Sequence, residues 1–479
     1  MQNECKQTYV GQWWLPQHPE QVMHGSLEIE LNHPELSVYE KLSPGQSSIA
    51  KRSHSVIHGR SMGVGVTLLG ALSTGGSRSK NVEGEEAYEE TQNRFVANTA
   101  LIGDELLNEE ECSFNRAYFR LYNLDQWANR TVYKHSDRVV EALDVPDLVA
   151  NIPGCQVLLR RITTSHLGRL TDAGFTSHEV IELKIEERVS LEDLEQRFIR
   201  PLEQLITLAT GRHCEAFSLQ VGNYDETKEW LETWPVKLYH VRQKRSDQGQ
   251  PGKPMIREHM RFGMNSNHCP PNVEFGAVVL KWYEQQAKLA SACDWVFSLQ
   301  SEVGGYLQQQ VFTIASAIEA LHRGLNPHYE EKTEEDRARN RAILSAVKKE
   351  SPEHHQWLAG VIQYGHRKSY VFRGRELLQY TDHFMAEIVG DEEKWIQEVR
   401  KIRDGIGHVL NSSDEYDVEQ MVALLRTARL FAESVLLRQL GFSAEECRQA
   451  FCHDWELQNA ERRMRKSFPE WFGVTEGEG

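Results

Sequence analysis

The sequence predicts an α+β protein: a β-rich, mostly antiparallel N-terminal domain over residues 1–273, then an all-α helical bundle over 274–470. Residues 471–479 are expected to form a disordered tail. Two observations carry this. Apolar and polar residues alternate in short runs through the first half, and from about residue 274 the apolar period lengthens to four-three spacing. Length agrees, since 479 residues suit two or three domains.

In the first half, "SLEIEL" and "LSVYEKL" alternate, "VGVTLLGAL" is a short apolar run, and "VIELKIEERV" alternates again. "SPGQSS" and "STGGSRSKNVEGEE" read as breaks, the second as an exposed loop. Trp13 and Trp14 read as core or edge residues of the first strand. A helical interlude is expected at 191–210, opened by Ser190 with Asp193 three residues on, stopped by Gly211, and kinked or divided at Pro201. Residues 243–272 show turn formers and no period, as a long loop would. In the second half, Leu307, Val311, Ile314, Ile318 and Leu321 form one helical stripe, and a long helix is expected over about 416–440. Trp395, Val399, Ile402, Ile406 and Val409 form another stripe, but Gly405 and Gly407 each oppose helix by about 1 kcal/mol. A bend is therefore expected between Arg403 and His408.

Composition narrows the function. The net charge is −16, divided as −9 over residues 1–300 and −7 over 301–479, so neither part offers a broad positive field to nucleic acid and any RNA contact must use local clusters. No apolar run reaches the length of a membrane span, and the N-terminus lacks a basic region followed by an apolar stretch. A cytoplasmic location without membrane attachment is expected. The eight cysteines form no CxxC pair and read as reduced thiols. His213–Cys214 and His268–Cys269 are adjacent pairs without zinc-knuckle spacing, so no metal is expected and no cofactor either. GxxxxGK[ST], GxSxG and HExxH are absent, which removes the main support for ATP-driven and zinc-protease chemistry.

Arg403 and His408 form an Arg-x4-His pattern. Spacing alone is uninformative, because it recurs at Arg130 and His135, Arg161 and His166, Arg323 and His328, and Arg448 and His453. The Arg403 occurrence differs in its leading amphipathic helix, its Asp404 and its glycines. On an unbroken helix, residues five apart point about 140° from one another, so a bend or a second chain is needed for convergence. Glu319 and His322, on "AIEALHR", could line the same groove or simply form a polar helix edge. Basic residues in "EEDRARNRAILSAVKKE" and "YGHRKSYVFRGREL" could meet phosphates, although a solvated helix face is the commoner meaning of such runs.

Three stretches resemble the HEPN domain of ApeA-type anti-phage abortive-infection proteins: "VFTIASAIEALHR", "FRGRELLQYTDHFMAEIVGDEEKW" and "RKIRDGIGHVL". "GQWWLP" followed by "VMHGSLEIEL" resembles the β-rich domain that precedes HEPN in that family, while about 100–270 is similar only loosely. The resemblance implies a metal-independent endoribonuclease in which His408 transfers protons, Arg403 holds the phosphate and Asp404 orients one of them. Many members carry Asn where this chain has Asp404. It also implies a homodimer through the HEPN domain, RNA as substrate with tRNA the expected class, and activation by a phage trigger of unknown identity. Two other readings stay open: a catalytically silent HEPN dimerisation and binding module with a β-rich protein-binding domain, and a HEPN partner of a nucleotidyltransferase.

Overall fold

The computed structural model describes residues 6–30, 33–42, 53–83, 86–103, 106–131, 133–136, 139–167, 173–223, 236–240, 259–265, 271–300, 305–407 and 416–473. The chain clusters into two compact units. The β-rich unit comprises Met1–Asp125, Thr131–Glu203 and Glu215–Lys244, and the helical unit comprises Gln126–Arg130, Gln204–Cys214 and Arg245–Gly479. Among the described residues N-terminal to 274, 126–130, 204–214, 259–265 and 271–273 thus cluster with the helices.

The first seven strands are β1 (Gln7–Leu15), β2 (His18–Glu30), β3 (His33–Leu42), β4 (Ser53–Ser61), β5 (Val64–Glu83), β6 (Glu86–Val96) and β7 (Thr99–Gly103). They pair in the order β7-β5-β4-β1-β2-β3-β6, and β6 pairs back onto β5, closing a six-stranded circuit. Closure removes the free edges that would otherwise invite further pairing. Alternate residues point inward, so Trp13, Leu27, Leu36, Val38, Ile57, Val66, Leu68 and Phe95 fill the interior. Trp13 is fully buried, and Trp14 meets His58 edge-on at 6.3 Å.

Residues 73–83, expected as an exposed loop, are instead the far half of β5. Ser73 opposes Phe95 and Glu83 opposes Glu86, across a register shift at Gly75, where φ is +151°. Glycine suits that bulge because no side chain favours the conformation.

The sheet continues beyond β7 through β8 (Ser113–Leu121), β11 (Leu148–Ile152), β12 (Cys155–Leu167), β13 (Ala173–Ser190), β14 (Ala216–Gly222) and β15 (Val236–His240), in the order β7-β15-β14-β8-β13-β12-β11. A short helix α1 (Leu124–Ala128) and a separate hairpin of β9 (Tyr133–Ser136) and β10 (Val139–Ala142) follow β8 in sequence. All ladders among the described strands are antiparallel, as expected. Within this sheet the buried Glu182 receives Arg116 and Arg160, each at 2.6 Å.

The helical interlude forms as α2 (Leu191–Asp193), a π-helical turn (Leu194–Ile199) and α3 (Arg200–Thr210). Ser190 Oγ accepts from the Asp193 N–H at 3.1 Å, and Gly211, at φ +67°, ends it. The disturbance expected at Pro201 takes the form of the π turn, since proline offers no N–H to the carbonyl four residues back.

The remaining helices are α4 (Phe275–Ser298), α5 (Leu307–Leu325), α6 (Glu334–Glu350), α7 (Pro352–Ile362), α8 (Tyr370–Tyr380), α9 (Ala386–Val389), α10 (Glu392–Gly407), α11 (Val418–Gln439), α12 (Ala444–Phe451) and α13 (Trp455–Ser467). The expected stripes face inward: Val311, Ile314, Ile318 and Leu321 are buried on α5, and Trp395, Val399 and Ile402 on α10. Trp395 Nε1 donates to Thr427 Oγ1 at 3.0 Å, tying α10 to α11. Trp471, expected to begin the tail, is buried and stacks on Phe468 at 4.1 Å.

Arg261, in the stretch expected to be a loop, is fully buried. Its Nη2 lies 2.9 Å from Glu433 of α11, its Nε 3.2 Å from Asp454, and its guanidinium 4.8 Å from the Phe451 ring centre. Burial alone would depress its pKa, but the two carboxylates more than offset that and raise it. Gln300 also donates to Glu433, and Arg429 pairs with Glu456.

Candidate active site

Helices α5 and α10, with α8 packed beside them, bring three of the candidate residues together. Ser369 opens α8, its Oγ accepting from the Phe372 N–H at 3.2 Å, and this phase turns Tyr370, Arg373, Gly374, Leu377 and Leu378 inward. Gly374 allows the approach of α10: a Cβ there would stand 2.4 Å from Ile396 Cγ1.

Helix α10 runs through Gly405 to Gly407, so the break expected after Arg403 is absent over the described residues. Gly405 is buried, and tertiary packing overrides its weak helix propensity. His408 lies outside the described residues.

Arg403 is 29% exposed, with its guanidinium 5.4 Å from the Tyr370 ring centre. Nη2 donates to Glu319 and Nη1 to Asp404 Oδ1 at 3.0 Å. Glu319 also accepts from Arg323 at 2.7 Å and lies 4.0 Å from Arg373. Arg400 reaches Asp404 at 3.8 Å. The structure therefore unites Arg403, Asp404 and Glu319. Both terminal nitrogens of Arg403 carry carboxylates, the places a phosphate's oxygens would take.

His322, expected beside Glu319 on the same helix, has a fully buried side chain. Arg373 Nη1 donates to Nδ1 at 3.1 Å, and since a guanidinium only donates, the ring proton sits on Nε2, which donates to Glu376 at 2.7 Å. Tyr329 stacks on the ring and donates to Glu376 at 3.0 Å. Burial lowers the His322 pKa; Glu376 opposes that and the Arg373 charge adds to it. The sign follows: the unfolded chain takes up a proton near pH ~6.5 while the folded chain does not, so this histidine costs stability as pH falls below about 6.5. His322→Gln is expected to flatten that part of the stability profile, measured by urea unfolding across pH 5–7.5; an unchanged slope would refute it.

Arg373, expected only as one of the basic residues of "YGHRKSYVFRGREL" that could meet phosphates, is instead bound inside the protein to His322 and Glu330, and Glu376 and Glu330 were not singled out by the sequence. Arg373 is 1% exposed, pairs with Glu330 at 2.5 Å and donates from Nε to the Lys368 carbonyl at 3.1 Å. The available signal was an arginine on the apolar stripe of α8. Elsewhere, basic residues of α6 are tied up locally: Arg337 and Arg341 pair with Glu334, and Arg339 with Asp336. Cys214 is buried, its N–H donating to Thr207 Oγ1 at 2.9 Å; His268 and Cys269 lie outside the described residues. No group of three or more potential metal ligands occurs among the described residues.

The family model for ApeA N-terminal domain 1 matches residues 8–266, more than half of the chain. The chain belongs to the ApeA family. The Apea-like HEPN model matches 312–446, which contains Glu319, His322, Arg373 and Arg403. The ApeA assignment makes this an anti-phage defence protein with a HEPN nuclease-like domain. Neither curated proteins nor solved structures give a significant match. Among the described residues of this ApeA chain, no helix is long and apolar enough to cross a membrane.

Proposed function

We propose that the chain is a metal-independent endoribonuclease that acts by abortive infection, cutting host RNA, with tRNA the expected class, once a phage trigger releases it. The observation that carries this reading is the Arg403 guanidinium, part-exposed on α10 within the HEPN match, with its donor fork on carboxylates that a phosphate could replace. In the reaction, the ribose 2′-oxygen attacks phosphorus and its proton passes to a base. The bond to the 5′-oxygen breaks, and that oxygen takes up a proton, leaving a cyclic phosphate and a 5′-hydroxyl. Imidazole, with a pKa near ~6.5, serves either transfer at neutral pH, and His408 is assigned that role. Arg403 stabilises charge on the non-bridging oxygens.

One arginine and one histidine make a sparse site, so the active form is assigned as a homodimer whose HEPN domains pool two of each. The β-rich unit is assigned trigger sensing or restraint of the nuclease, in the cytoplasm. The test incubates purified protein with bacterial RNA in EDTA beside Arg403→Ala and His408→Ala. Cleavage by the parent alone, with cyclic or 3′-phosphate ends, is expected. Mixing the two inactive variants is expected to restore part of the activity. Toxicity during infection that persists in His408→Ala would sink the nuclease reading and favour a silent binding module.

A further inference from the structure

Two buried donors at the Arg403 cluster have no acceptor among the described residues: the Tyr370 hydroxyl and Arg403 Nε. Tyr370 is 6% exposed and its ring lies beside the Arg403 guanidinium, 5.4 Å from ring centre to Cζ. The neighbouring polar side chains all have partners: Glu319 and Asp404 hold Arg403, Glu330 holds Arg373, and Glu376 holds His322 and Tyr329. An orphaned buried donor costs stability, so two beside one another call for a physical reason. Packing alone would be served by phenylalanine. Burial raises the phenol's pKa, with the Arg403 charge opposing, so the hydroxyl keeps its proton and remains a donor.

We propose that Tyr370 contacts the substrate, its hydroxyl donating to a non-bridging oxygen of the RNA phosphodiester that Arg403 grips. This rests on the ribonuclease reading. A phosphodiester brings several acceptor lone pairs, enough to satisfy the Tyr370 hydroxyl and the guanidinium together. Access requires Arg403 to leave Glu319. That carboxylate is not left bare, since Arg323 at 2.7 Å and Arg373 at 4.0 Å remain beside it. In the structure both terminal nitrogens of Arg403 are held by carboxylates, with the Tyr370 ring beside the guanidinium.

The test uses the full chain and Tyr370→Phe, which keeps the ring under Arg403 and removes only the hydroxyl. Single-turnover cleavage of bacterial tRNA, binding of a non-cleavable 2′-O-methyl RNA oligonucleotide, competition by ATP and the melting temperature are measured together. The expected result is a ten- to hundredfold slower cleavage, weaker oligonucleotide binding and an unchanged or higher melting temperature. Equal cleavage and binding by parent and variant would overturn the role of Tyr370 and leave the ribonuclease reading standing. A lowered melting temperature that accounts for the lost activity would assign Tyr370 to structure alone. A parent that neither cleaves nor binds RNA, or binds only ATP, would overturn the ribonuclease reading and this inference with it.

Discussion

Arg261→Met is expected to destabilise the helical unit by about 3–5 kcal/mol, the usual cost of removing one partner from a buried ion pair. The substitution keeps much of the side-chain volume, so the loss is mainly electrostatic. Glu433 would remain fully buried with Gln300 as donor and Arg429 at 3.8 Å, and Asp454 would lose its guanidinium partner. An uncompensated carboxylate in that setting either stays charged at high cost or takes up a proton. Chemical denaturation of parent and variant at pH 7 measures the difference. A change below about 1 kcal/mol would show that Gln300 and Arg429 already satisfy Glu433. Combining Arg261→Met with Glu433→Leu is expected to recover part of the loss, because the stranded charge disappears with its partner.

On the ribonuclease reading proposed above, Arg403→Lys is expected to slow RNA cleavage by about 10²–10³-fold while leaving the fold intact. Lysine preserves the charge and can still pair with Glu319, but it replaces a planar fork with a single rotatable ammonium. Transition-state donors lost from comparable sites cost factors of this size. The side chain is 29% exposed, so its contribution to stability is small. Single-turnover rates in EDTA, with melting temperatures beside them, decide the matter. If the lysine variant keeps more than a tenth of the parent rate, charge alone suffices and the fork geometry plays no part.

Much of this was legible in the sequence, for physical reasons. One-sided burial imposes alternation on strands and four-three spacing on helices, so β2, β3, β13, α5, α10 and α11 announced themselves. The Ser190 cap and Gly211 stop were equally readable because capping is a local interaction. The far half of β5 was not, since a ribbon of Gly and Ser residues has no alternating burial to display. Gly405 misled for the opposite reason: its propensity is local, and the packing that overrides it is not. The site divided along the same line. Arg403, Asp404 and Glu319 sat in recognisable stretches, whereas Arg373 with Glu330, and Arg261 with Glu433, are charges whose meaning lies in partners far along the chain.

The hairpin of α6 and α7 has a consequence for how the protein opens. Neither helix contributes a buried residue, Asn340 donates to the Ile362 carbonyl to link them, and Trp357 and Val361 face solvent. Such a pair can melt without disturbing the helical core, so its amides should exchange with deuterium well before those of α5 or α11. Proteolytic nicking and length variation should concentrate there for the same reason. It is expected to behave as an appendage with its own opening equilibrium, so that the cooperative unit that unfolds globally is smaller than the helical unit itself.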